Sequence, residues 1–164
     1  MTQLANRRTF LRQCATGAAL ISLASVPGST LFAARQSSFK LTDAEWRKRL
    51  SPRAYAVLRQ GETERPGSSP LNKEHRRGTF SCAGCALPLF ASRTKFESGT
   101  GWPSFYNHLP NAITTRTDRS LGMTRTEVRC ARCAGHLGHV FPDGPKPTGL
   151  RYCMNGAAMR FTVA

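Results

Sequence analysis

The feature that most constrains the fold of this 164-residue chain is the spacing of its cysteines. Cys82 and Cys85 form one C-x-x-C pair, Cys130 and Cys133 form a second, and 44 residues lie between the pairs. A two-residue spacer lets one tight turn present two thiolates to the same ion, so two such pairs predict a single tetrahedral zinc site with four sulfur ligands. Any fold of this chain must therefore bring two distant turns together. Four protein ligands leave no open coordination position, which makes the predicted metal structural, one ion per chain. The competing reading is a redox-active C-x-x-C or a pair of disulfides. A redox pair is expected beside a β-α-β pattern, whereas Cys82-Ala83-Gly84-Cys85 joins two strand-like runs. Of the other two cysteines, Cys14 falls near the N-terminus and Cys153 stands alone in Arg151-Tyr152-Cys153-Met154-Asn155. A lone thiol near His136, His139 and Arg151 in sequence is a nucleophile candidate.

Residues 1–34 read as an export signal. They hold Arg7-Arg8-Thr9-Phe10-Leu11, a weakly apolar run from Cys14 to Val26, small residues at Ala33 and Ala34, and no acidic residue. A basic start, a short apolar stretch and a small-residue exit mark a cleaved signal, and the arginine pair resembles the twin-arginine type. The apolar run is short for a membrane span and is interrupted by Gly17. This reading places the mature domain at 35–164, exported to a periplasm by the twin-arginine route, with no membrane span in the mature form. The alternative is a membrane anchor formed by an uncleaved signal. A route that carries folded proteins suits a metal site loaded in the reducing cytosol, where the bound ion protects its thiolates from oxidation.

Residues 35–164 are enough for one domain with one core. Arg7, Arg8 and Arg12 account for three of the 24 basic side chains, so this region keeps 21 against 9 acidic ones. Such a surplus permits binding to nucleic acid or anionic surfaces. The basic residues are scattered, however, and few aromatics interleave with them to stack bases. A solvated basic surface is the reading, and nucleic acid is not an expected partner. Thr42-Asp43-Ala44-Glu45 is a capping box that opens one helix, and Ser51-Pro52 opens a second that Gly61 stops. Residues 61–77 read as loop. Strand patterns follow at Thr79–Cys82, Leu87–Phe90, Ile113–Thr117, Met123–Cys130, Leu137–Phe141, Arg151–Met154 and Met159–Val163. The chain is predicted to be a mainly β domain with two short helices in front.

Four longer motifs then occur in order: Gly99-Thr100-Gly101-Trp102-Pro103-Ser104-Phe105, Arg125-Thr126-Glu127-Val128, His136-Leu137-Gly138-His139-Val140-Phe141-Pro142-Asp143-Gly144-Pro145, and Gly149-Leu150-Arg151-Tyr152-Cys153-Met154-Asn155. With them, from about Leu41 to Phe161, the chain resembles the methionine sulfoxide reductases of the B type. The resemblance implies a β fold of two antiparallel sheets, a structural zinc on Cys82, Cys85, Cys130 and Cys133, and reduction of the R epimer of methionine sulfoxide in oxidised proteins or peptides. It also implies a thioredoxin-like or other thiol reductant as partner.

Sulfoxide reduction needs a soft nucleophile for sulfur and a proton for oxygen. The resemblance makes Cys153 the nucleophile. His136 and His139 are the candidate acids and hydrogen-bond donors, with the family favouring His139. Arg151 shares a strand face with Cys153 and is expected to lower its pKa, although most arginines are ordinary surface residues. Asn155 is either a further donor to the oxygen or a turn residue before Gly156. Trp102 is the expected wall for the substrate methyl group, against the plainer reading of a core tryptophan. Asp143 is expected to hold its loop or the histidines in place, or to be only a turn residue. In two respects the chain departs from the family pattern: Thr100 stands where a cysteine often resolves the sulfenic acid, and Met154 stands where isoleucine is common, a change expected to matter little. Two other classes compete with this reading. A zinc-ribbon nucleic-acid binder leaves Cys153 unexplained, and a disulfide oxidoreductase needs a redox-active C-x-x-C.

Overall fold

A threonine followed three residues later by a glutamate starts the folded region. In the computed structural model, which describes residues 39–164, Thr42 Oγ1 accepts from the Glu45 N–H, and the Glu45 carboxylate accepts from the Thr42 N–H at 2.7 Å. This is the expected capping box. It opens α1 (Asp43–Arg49), whose first turn is acidic and last turn basic, complementing the helix dipole. Ser51 caps α2 (Pro52–Gln60), and Gly61 ends it in the left-handed conformation, φ 77°. Trp46 and the α2 residues Ala54, Tyr55, Val57 and Leu58 are buried, so each helix packs an apolar face inward. The expected export signal at 1–34, with Cys14, lies outside the described residues. Among the described residues no helix is long and apolar enough to cross a membrane.

The strands are β1 (Gly78–Cys82), β2 (Pro88–Ala91), β3 (Lys95–Phe96), β4 (Ser104–Phe105), β5 (Ile113–Asp118), β6 (Arg125–Cys130), β7 (His136–Phe141), β8 (Arg151–Met154) and β9 (Met159–Val163). They form two antiparallel sheets, one ordered β2-β1-β9 and a larger one ordered β3-β4-β8-β7-β6-β5. The predicted mainly β fold of two antiparallel sheets with short leading helices is the one observed. All seven predicted strands are present, with ends shifted by at most two residues. The sequence reading misses β3 and β4. Each has two residues, too few to show a period of two. Their strand character comes from pairing, with Phe105 opposite Tyr152 and Ser104 opposite Cys153.

Aromatic packing joins the sheets. Phe80 of β1 meets Phe105 of β4 edge-on with centroids 4.9 Å apart, and Phe90 of β2 stacks on Phe105 at 4.3 Å. All three rings are fully buried, each contributing about 1.5–3 kcal/mol by leaving water. β8 runs inside the larger sheet. Tyr152 and Met154 point into the core, while Arg151 and Cys153 take the opposite, half-buried face. Gly138 of β7 lets that strand pass close beside β8, since a Cβ there would lie 2.1 Å from the Cys153 carbonyl oxygen.

Candidate active site and metal centre

The two C-x-x-C turns are built alike. In the first, the Ala86 N–H donates to the Cys82 carbonyl at 2.9 Å; in the second, the Ala134 N–H donates to the Cys130 carbonyl at 2.9 Å. Ala86 and Ala134 both adopt left-handed φ values, 59° and 55°. The turns close β1 and β6, and all four cysteines are buried. Their sulfurs lie within 4.8 Å of one another, positioned to bind a metal ion. The nearest approaches are 3.7 Å for Cys82–Cys133 and 3.5 Å for Cys85–Cys130. A disulfide needs about 2.05 Å, so these sulfurs are not bonded to each other. Three guanidinium groups surround the turns: Arg49, Arg59 and Arg132 donate to the carbonyls of Gly84, Cys133 and Cys85 at 2.5, 3.0 and 3.1 Å. Their positive charge would offset the negative charge of four metal-bound thiolates.

Cys153 sits apart, on a cleft of about 130 Å³ that it shares with His139, Trp102, Asn155, Arg125 and Phe141. Larger cavities of about 300 and 400 Å³ lie elsewhere, but no cysteine lines either. Strand register assembles the site. Cys153 faces His139 of β7 on one side and Ser104 of β4 on the other. Thr100 Oγ1 lies 3.9 Å from the Cys153 sulfur and begins a chain of hydroxyls, 2.8 Å to Ser98 and a further 2.7 Å to Ser104.

Burial pushes the Cys153 thiol above its ordinary pKa, and the Thr100 hydrogen bond and the Arg151 charge only partly oppose it. The sequence reading foresaw the Arg151 effect but not the desolvation that outweighs it. Arg151 itself donates to Asp143 through Nε and an Nη, at 2.9 and 2.7 Å. Asp143 thus holds Arg151 and not a histidine, and that contact keeps its carboxyl below the usual range.

The two histidines differ. His139 is half-buried on the cleft, and its Nε2 lies 2.8 Å from Asp118 Oδ2. Hydrogen bonds from Ser120 and from His139, with the Arg125 charge, hold the Asp118 carboxyl low. His136 lies behind, its ring centroid 5.4 Å from that of His139. It is buried, with Nδ1 2.8 Å from Glu127 Oε1 and with Nε2 lacking a partner among the described residues. Burial drives its pKa down despite the carboxylate. Burial raises Glu127 in turn, but hydrogen bonds from His136 and Arg116 outweigh it and hold that carboxyl below its ordinary value.

Trp102 is half-buried and edges the cleft, and its indole N–H donates to the Glu64 carbonyl at 3.0 Å. Asn155 borders the same cleft while anchored on both sides: Oδ1 accepts from the Glu64 N–H at 2.9 Å, and Nδ2 donates to the Leu137 carbonyl at 3.1 Å. The structure therefore gathers Cys153, His139, Trp102 and Asn155 around one space, places Arg151 and Asp143 at its side, and sets His136 behind it. The sequence reading missed Glu64, Asp118 and Arg125 and gave Glu127 no role. Arg125 and Glu127 lay within a quoted motif, whereas Glu64 and Asp118 carried no local signal.

Known proteins bear on this arrangement. The SelR domain family matches residues 50–163. The chain is 54% identical over 121 residues to a peptide methionine sulfoxide reductase MsrB from Agrobacterium fabrum, covering 73% of this chain and 90% of that protein. Proteins of the same name from Thiobacillus denitrificans and Bradyrhizobium diazoefficiens are 55% and 56% identical, each over 73% of this chain and over 92% and 86% of their own lengths.

Proposed function

The chain belongs to the SelR-domain family, and we infer that it works as a peptide-methionine (R)-S-oxide reductase, returning oxidised methionine in proteins to methionine. The observation that carries the chemistry is the pairing of a half-buried Cys153 with His139 across two strands, beside Trp102, while the other four described cysteines are gathered elsewhere.

In this mechanism the Cys153 thiolate attacks the sulfoxide sulfur. A proton reaches the sulfoxide oxygen, and the oxygen passes to the cysteine, so the substrate leaves as a thioether and Cys153 becomes a sulfenic acid. His139 is the proton donor. Asp118 fixes its ring by accepting from one nitrogen, as carboxylates commonly orient catalytic imidazoles. His136, held by Glu127, backs the His139 ring. Arg151, fixed by Asp143, and the Thr100 hydroxyl favour the thiolate against the cost of burial. The face of Trp102 takes the substrate methyl group, and Asn155 retains one amide proton for the oxygen. Thr100 cannot form a disulfide. An external thiol, such as that of a thioredoxin-like protein, condenses with the sulfenic acid to release water and form a mixed disulfide, and a second thiol frees Cys153.

Zinc is the metal that best suits the four-cysteine site. Zn–S bonds of 2.3 Å in a tetrahedron separate the sulfurs by about 3.8 Å, close to the 3.7 and 3.5 Å observed. With four sulfur ligands the ion is structural, tying β1 to β6. Residues 1–34 act as a twin-arginine export signal that delivers the domain at 35–164 to the periplasm.

The test uses resolved epimers of a methionine sulfoxide peptide. The R form is consumed and the S form left; consumption of the S form alone would overturn the assignment. N-terminal sequencing of the exported protein tests the signal, with a start near residue 35 expected and an intact N-terminus contradicting cleavage.

A further inference from the structure

We propose that Glu64 is a positioning residue for the active site: its carboxylate pins a loop whose backbone holds Trp102 and Asn155 in place around Cys153. The inference rests on the reading that this cleft receives the methyl sulfoxide group, and it gives a role to the one buried acid that the mechanism leaves unused.

Glu64 lies in the loop after α2, where Gly61 to Thr63 on one side and Arg65 to Gly67 on the other are exposed. Its own side chain is 2% exposed. A carboxylate is retained in such a place only where hydrogen bonds replace its water. Both oxygens are engaged: the Gly156 N–H donates to Oε1 at 2.5 Å and the Ala157 N–H to Oε2 at 3.1 Å. Arg53 stands 3.9 Å from Oε2. The carboxylate is therefore fastened to the turn that directly follows the Cys153 strand.

The backbone of the same residue reaches the other way. Its N–H donates to Asn155 Oδ1 at 2.9 Å, and its carbonyl accepts from the Trp102 indole at 3.0 Å. Trp102 and Asn155 both line the Cys153 cleft. Four hydrogen bonds from one residue thus tie positions 155, 156 and 157 to the indole. A purely structural pin would hold the loop to the domain. This one also fixes the only described partner of the indole N–H, so the orientation of the aromatic wall depends on the carboxylate.

Glu64→Gln tests this, because an amide nitrogen cannot accept from a backbone N–H and one of the two carboxylate bonds is lost. The KM for an R-sulfoxide peptide should rise about tenfold, the equivalent of one hydrogen bond to a charged group. The single-turnover rate at saturating substrate should change much less. In a Trp46→Phe background, where Trp102 is the remaining tryptophan, the same substitution should shift the emission of the folded protein to the red as the indole meets water. The KM effect should also shrink in a Trp102→Phe background, where only the Asn155 tie remains, the non-additivity expected of residues acting through each other. An unchanged KM, an unchanged emission, or a KM effect retained in full without Trp102 would overturn the proposal. Should Glu64→Gln fail to fold, amide exchange in the unmutated protein decides: the Trp102 indole N–H and the Gly156 and Ala157 amides should be protected together, and rapid exchange of any of them would overturn it. Emission and exchange need no turnover, so a protein that failed to reduce the R epimer would refute the functional reading while leaving the role of Glu64 to be judged separately.

Discussion

At the four-cysteine centre every thiol is buried and has another sulfur within 3.7 Å, whereas Cys153 has a hydroxyl at 3.9 Å, a histidine opposite and an open cleft in front. The surroundings of the centre are alike on its two sides: two like turns, with two guanidinium groups on the carbonyls of the first and one on those of the second. Those of Cys153 are deliberately mixed, with Arg151 and Thr100 favouring the thiolate and burial opposing it. The same side chain is gathered with like partners in one region and left without one in the other, where the proposed chemistry runs. This contrast can be attacked from both sides.

The largest effects come from exchanging sulfur for oxygen in each region. Cys153→Ser should abolish sulfoxide reduction while leaving metal content and thermal transition as they were. Cys130→Ser should lose the metal and the fold together, because binding energy at such a site is folding energy, on the order of 10 kcal/mol. Metal analysis and a melting curve on both variants check this. A chelated, metal-free sample that kept its transition would break the structural side of the comparison.

Next is the acid. His139→Ala should lower kcat about 10²–10⁴-fold with little change in KM, the usual share of a general acid. Asp118→Asn, which leaves the imidazole without its carboxylate, should cost about tenfold, the worth of one hydrogen bond to a charged group. Steady-state kinetics on the two variants separate the proton donor from the group that orients it. An Asp118→Asn loss as large as that of His139→Ala would make the carboxylate part of the chemistry.

The smallest effect sharpens the electrostatics. The attacking form proposed for Cys153 is the thiolate, so in a His139→Ala background, where no imidazole acid titrates alongside it, the rate of sulfenic acid formation should rise with pH, and a raised pKa moves that rise to the alkaline side. Its midpoint should lie above the ordinary thiol value of about 8.5. Arg151→Met removes a positive charge that opposes burial and should move the midpoint higher still; Thr100→Val should do the same to a lesser degree. A pH–rate profile under single-turnover conditions reads both, and a midpoint lowered by Arg151→Met would contradict the balance described.

How much was legible in the sequence follows the same division. The metal ligands could be read outright, since spacing within each pair and the need for four sulfurs leave little choice. Cys153, His139 and Trp102 were singled out from the motifs that carry the resemblance, and the structure brings all three to one cleft. The groups that hold them were not. Asp118 meets a histidine 21 positions later only because β5, β6 and β7 pair in register. Glu64 bonds residues 91 to 93 positions away from a loop that reads as solvent-exposed. The sequence left Asn155 as either a donor or a turn residue, and the structure shows its amide fastened at both ends. The net pKa of Cys153 was likewise out of reach: charge is visible in a sequence, whereas desolvation depends on what packs around the sulfur.

The central claim is that Cys153 alone takes the oxygen while the other four described thiols stay out of the reaction. It is tested most directly by reacting the purified protein with one equivalent of an R-sulfoxide peptide, without added thiol, and mapping the product by mass spectrometry alongside metal analysis. The account predicts one added oxygen on Cys153, trapped by a reagent selective for sulfenic acids, with the metal retained. Loss of two thiols to a disulfide involving Cys82, Cys85, Cys130 or Cys133, with release of the metal, would contradict it.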